Sequence, residues 1–208
     1  MLAAEKKVVS PLLEPSASSD KMYKVDEHVA VAVAGITADA NILVDRARVF
    51  AQRYRFDYQE PQPVEQLVQR LCDLKQGYTQ FGGLRPFGVA FLFAGFDEHH
   101  GLQLYASDPS GNYGGWKARA IGANSQSATS ILKQEWSEQL DLDGALKLAL
   151  KVLSKTMDST TIAPEKLDFS TLTYDAAAGR VQFASLTVPQ LKDLLARTDL
   201  TAVSADDK

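Results

Sequence analysis

A chain of 208 residues that is 45% apolar and 23% charged has the make-up of an ordinary globular domain, long enough for one well-filled core. Its net charge of −4, with no dense basic stripe, argues against nucleic acid or an anionic membrane as the main partner. A single cysteine, Cys72, excludes an internal disulfide framework and fits a reducing compartment, while the longest nearly apolar run, Phe87 to Phe96, has about half the length a membrane helix needs.

Leu2 to Val9 reads as a strand and its exit, followed by a polar loop over Pro11 to Asp20 that is rich in Ser and Pro. The start, Met1-Leu2-Ala3-Ala4 running into Glu5-Lys6-Lys7, does not resemble a signal peptide, and the reading is a soluble intracellular domain. Met22 to Val25 and Val29 to Ala34 are two short extended pieces, the second apolar throughout as a strand covered on both faces should be. Gly35-Ile36-Thr37 opens a helix, with Thr37 as N-cap and Asp39 favouring the positive helix end. Leu43, Ala47, Phe50 and Tyr54 form its apolar stripe. Pro61 and Pro63 interrupt that pattern, and a second helix from about Val64 carries Leu67, Leu71, Leu74 and Tyr78, so the pair should lie side by side over a sheet. Cys72, set within that helix, suits buried packing rather than catalysis.

The next segment, Tyr78 to Gly88, is a helix stop, a loop and a strand start: Gly82-Gly83 ends the helix, and Pro86 pushes Arg85 into an extended conformation. Phe87 to Phe96 and Gly101 to Ser107 form a hairpin turned at Asp97-Glu98-His99-His100, and Trp116 to Ile121 alternates enough to be another strand. Ser125 can cap a third helix facing inward with Ala128, Ile131, Leu132 and Trp136. A fourth helix, near Leu142 to Met157, presents Leu142, Ala145, Leu146, Ala149, Val152 and Leu153. Strands over Phe169 to Tyr174 and Val181 to Leu186 precede a last helix from Val188 to Arg197 with Pro189 in its first turn. This order fits an α+β fold of four layers, an α-β-β-α sandwich, as one domain over residues 1–198 with a flexible acidic tail over residues 199–208.

Little of the sequence has the pattern of a reaction centre. His99-His100 with Asp97 and His28 matches no strong metal spacing and reads as a solvated turn. Gly111 to Lys117 superficially resembles a phosphate loop, but it lacks the Gly-Lys-Ser/Thr ending and leads into a strand, so Asp108-Pro109-Ser110-Gly111 is turn chemistry. A sandwich of this kind does raise the N-terminal nucleophile hydrolase, in which an amino-terminal Thr, Ser or Cys uses its own amine as base. Met1-Leu2 supplies no such nucleophile, so no catalytic residue, metal or cofactor is expected.

Several collinear blocks point further: Leu2 to Lys7, Val33 to Asn41, Ala51 to Tyr54, Tyr78 to Gly88, and above all Ser107 to Ala118. Together they resemble proteasome α-type subunits, over Leu2 to about Arg197. The resemblance implies the N-terminal nucleophile hydrolase type of sandwich in a non-catalytic subunit of the 20S core, serving ubiquitin-dependent degradation in cytoplasm and nucleus. Its implied partners are other α subunits in a seven-membered ring, β-ring subunits, and the C-terminal tails of activators. The family's pocket lysine falls at Lys21, and the backbone of Gly35 and Ile36 forms the adjoining wall. Taken alone, Lys21 reads as a solvated loop lysine. The family's gating tail, first helix and first strand pair have no counterpart before Met1, so the resemblance describes an N-terminally incomplete sandwich that should be poorly soluble or partly unfolded alone and enter rings less efficiently than a full-length version. A β-type threonine peptidase and a free-standing binding module on the same fold are the alternative readings.

Overall fold

The computed structural model describes residues 1–6, 12, 21–82, 84–157 and 162–198. Most of the Pro11 to Asp20 loop, Gly83 and the 199–208 tail lie outside the described residues. The elements follow in chain order as β1 (Leu2–Glu5), β2 (Met22–Asp26), β3 (Val29–Gly35), α1 (Thr37–Tyr58), α2 (Val64–Gln80), β4 (Val89–Asp97), β5 (Gly101–Ser107) and β6 (Tyr113–Gly115). Then come α3 (Ser125–Glu135), α4 (Leu142–Thr156), β7 (Leu167–Asp175), β8 (Arg180–Ser185) and α5 (Val188–Arg197).

Two antiparallel sheets result, a five-stranded one in the order β2-β3-β4-β5-β6 and a three-stranded one in the order β1-β7-β8. Alternation along the strands divides the core. Val29, Val31, Val33, Phe91 and Phe93 face Leu43, Ala47, Leu67 and Leu71 of α1 and α2. Ala30, Ala32 and Ala94 face the other way, with Met22, onto Leu2 and Leu172 of the second sheet. Leu167 and Phe169 complete the opposite face by packing under Leu150 of α4 and Leu191 and Leu194 of α5. Each buried Leu, Val or Phe contributes about 1.5–3 kcal/mol, so the three apolar layers hold the expected α-β-β-α order. β3 is buried on both faces because it has a strand on either side and lies between the helices and the second sheet.

Several sequence expectations shift. Trp116 to Ile121 is not a strand: β6 ends at Gly115, Trp116 N–H donates to Leu104 O at 2.9 Å, and the chain then leaves the sheet towards α3. The alternation there reflects Ala120 packing under α3 and α4 while Lys117 faces outward. The N-caps of α1 and α3 lie one residue early, at Ile36 and Asn124, so Thr37 and Ser125 are the first helical residues. Asn124 is left-handed, with φ 57°, and its side-chain amide donates to Thr156 O on α4 instead of capping. Leu142, read as inward, is exposed, and α4 is buried on two sides, Leu150 packing with α5 and Leu148 and Val152 with α3.

At the hairpin tip Glu98, His99 and His100 are exposed, as a solvated turn should be, while its base is fixed to the core. Asp97 is buried and accepts from the backbone N–H of His99, of His100 and of Val64, the last fixing the start of α2 on the sheet. Burial alone raises a carboxyl, but the Gln103 amide and these three N–H donors hold Asp97 below the usual carboxylate range. His28 is buried, its Nε2 2.7 Å from Gln62 O and its Nδ1 3.4 Å from Asp26. Among the described residues no group of three or more His, Cys, Asp or Glu is placed to hold a metal ion.

Candidate functional site

Gly35, at the end of β3, has φ +128°, and a Cβ on it would sit 2.2 Å from Gly88 O and 3.0 Å from Val89 Cα. Only glycine permits that approach, which lets Ile36 N–H donate to Gly88 O at 2.9 Å. One turn into α1, Asp39 is buried and accepts a two-pronged bond from Arg85, Nη1 to Oδ2 at 2.7 Å and Nη2 to Oδ1 at 2.8 Å. The same carboxylate takes Gly88 N–H at 2.8 Å. The Arg85 guanidinium holds the Asp39 carboxyl below the usual carboxylate range, against the opposing effect of burial. Tyr78 packs on Phe87 with ring centroids 4.5 Å apart. Arg85, Gly88 and the Gly35-Ile36 wall are therefore joined through Asp39, with Tyr78 packed on Phe87 beside them.

Lys21 immediately precedes β2, its carbonyl accepting from Val33 N–H at 2.9 Å. It is half-buried, and that bond ties its backbone to β3. Lys21, Gly35 and Thr37 share the rim of a cavity of about 950 Å³ that runs between the sheets and under α3 and α4. Ile36 does not line it; half-exposed, its side chain lies over Gly88. On the same lining, Arg119 stacks its guanidinium 4.3 Å from the ring centroid of the exposed Trp116, and the exposed Lys117 pairs with Glu138. Thr37, Trp116 and Arg119 were not among the site residues expected from sequence. A cation three residues after a tryptophan was the only local sign of the stacked pair.

The sequence pattern of the family described as proteasome subunit matches residues 1–172. The chain belongs to the proteasome subunit family. It is 60% identical over 206 residues to proteasome subunit alpha type-4 of Spinacia oleracea, covering 99% of this chain and 82% of that protein. Alpha type-4-A of Arabidopsis thaliana gives the same identity and coverage. Alpha type-4 of Petunia hybrida is 58% identical over 207 residues, 100% of this chain and 82% of that protein. The chain is accordingly an alpha-type subunit similar to type 4, a non-catalytic structural component of the proteasome core that assembles with other proteasome subunits. Pure protein incubated with a fluorogenic peptide series and an epoxyketone probe is expected to show neither cleavage nor a covalent adduct, and an adduct on this chain would overturn the alpha-type assignment.

Proposed function

We propose that this subunit occupies one place in a seven-membered outer ring, contacts β-ring subunits below it, and offers Lys21, Gly35 and Ile36 to the C-terminal tail of an activator. Degradation of ubiquitin-marked protein in cytoplasm and nucleus is the setting of this role. The observation that carries the docking reading is the shared cavity lining, which sets a half-buried lysine beside a backbone wall packed closely on Gly88. An ammonium there suits a terminal carboxylate, because a charge-assisted bond strengthens as water is excluded. Ring contact is supported by α1. Ile42, Val49 and Phe56 recur every seven residues, drift by only about 20° per step, and are 54%, 40% and 81% exposed. An apolar stripe of that length on a soluble surface marks a contact face.

Lys21→Ala, placed in assembled particles, should weaken an activator that docks through its C-terminal tail by about 1–3 kcal/mol, roughly 5- to 150-fold in Kd. Stability of the chain itself should change by less than about 1 kcal/mol. Equal activator affinity for mutant and parent particles would remove Lys21 from the site.

A further inference from the structure

Lys75 is wholly buried between α2 and the five-stranded sheet, at 0% exposure. Its Nζ donates to Ser107 Oγ at the end of β5, 3.0 Å away, and lies 5.3 Å from the centroid of the Phe91 ring. Ser107 is its hydrogen-bond partner among the described residues, and Asp108, the next residue along, adds a favourable charge. Cys72, one turn earlier on α2, is buried beside the same cluster, and Ser107 lowers its thiol against the larger effect of burial.

Above this cluster the turn from Asp108 to Asn112 rests directly on the helix. Asp108 N–H donates to Asn112 O at 3.0 Å, and the Asp108 carboxylate accepts from Ser110 N–H and Asn112 N–H. Gly111 has φ +89°, and a Cβ on it would lie 2.4 Å from Cys72 O and 2.8 Å from Gln76 N. The turn is thus seated on α2 from outside by Gly111 and tied from inside through Ser107 to Lys75.

We propose that Lys75 is a pH-sensitive pin between α2 and the Asp108–Asn112 turn. As an ammonium it holds Ser107 and is drawn to Asp108, but most of its hydration is lost. As a neutral amine it accepts the Ser107 O–H instead, and the turn seats over a core without a buried charge.

Burial lowers the amine to about 8, with Cys72 and Asp108 acting in the opposite direction. The neighbours do not titrate in that range. Burial pushes the Cys72 thiol up to about 11, and Tyr105 and Tyr113 are raised, by burial first and then by Glu65. Asp108 is held below the usual carboxylate range by Ser110 and Asn112 despite burial, and Asp73 bears on the cluster only through Cys72 and Tyr113. The unfolded chain keeps its proton to about pH 10.4, so from about pH 8 upward the unfolded state binds more protons and stability rises with pH.

Urea unfolding of the full chain and of Lys75→Met across pH 6.5–9.5 tests this. The unfolding constant of the parent should fall relative to the variant by on the order of tenfold or more between pH 7 and 9.5. Lysine side-chain NMR of the parent gives a second readout that needs no folded variant. One lysine should titrate near pH 8, and the Gly111 and Asn112 amide shifts should move with the same midpoint. Parallel pH profiles for the two proteins, no lysine titrating below about pH 10, or turn amides indifferent to the lysine midpoint would each overturn the pin.

Discussion

Asp39→Ala is expected to destabilise the chain by about 2–4 kcal/mol near neutral pH, read from urea unfolding. The carboxylate is 5% exposed and carries three donors, two from Arg85 and one from Gly88 N–H. Removing it strands the Gly88 N–H, which alone costs about 1–3 kcal/mol. The Arg85 side chain is 62% exposed and can return to water, which limits the rest of the loss. Asp39 also sits in the first turn of α1, where a negative charge meets the positive helix end for about 0.3–1 kcal/mol more. Because Arg85 keeps this carboxyl below its ordinary range, the contribution is complete above about pH 4 and fades as pH falls through the lower folded value. The parent and the variant should therefore converge in acid. Equal stability at pH 7 would mean that the Tyr78–Phe87 contact holds the signature loop without the ion pair.

The same residue shows how far the sequence could be read. Asp39 was legible as a first-turn acid, a local statement about the helix, but its main partner lies 46 residues away and no pattern announces the pairing. The strands were legible because burial on both faces leaves an unbroken apolar run such as Val29 to Ala34, and α5 because Pro189 and the polar residues after Arg197 bound it. Lys75 was missed for a chemical reason. Position 75 falls on the buried face of α2 with Leu71 and Cys72, yet a lysine there reads as an outward residue unless the Ser107 partner is known. The inward stripe was consequently drawn through Leu74 and Tyr78, which are only partly buried. Lys21 and Gly35 came from resemblance, and their common cavity arises from how the two sheets stack, which no local segment encodes.

Gly35→Ala should have a larger effect than Asp39→Ala, about 3–6 kcal/mol, because two independent costs fall on one atom. At φ +128° a side-chain-bearing residue is strained in any surroundings, for about 1–3 kcal/mol. The new methyl would also lie 2.2 Å from the Gly88 carbonyl oxygen, a backbone atom that cannot swing aside as a side-chain tip would. Relief requires β3 and β4 to part at the Gly35–Val89 pair, and that breaks the Ile36 N–H bond to Gly88 and moves the Gly88 N–H away from Asp39. Gly101→Ala is the matched control. It too has positive φ, +68°, but nothing lies within 4 Å of its Cβ, so only the backbone cost of about 1–2 kcal/mol remains. Thermal or urea unfolding of the two variants side by side separates strain from collision. If Gly35→Ala costs no more than Gly101→Ala, the wall beside Lys21 can yield, and a fixed backbone surface can no longer explain selective docking at that rim.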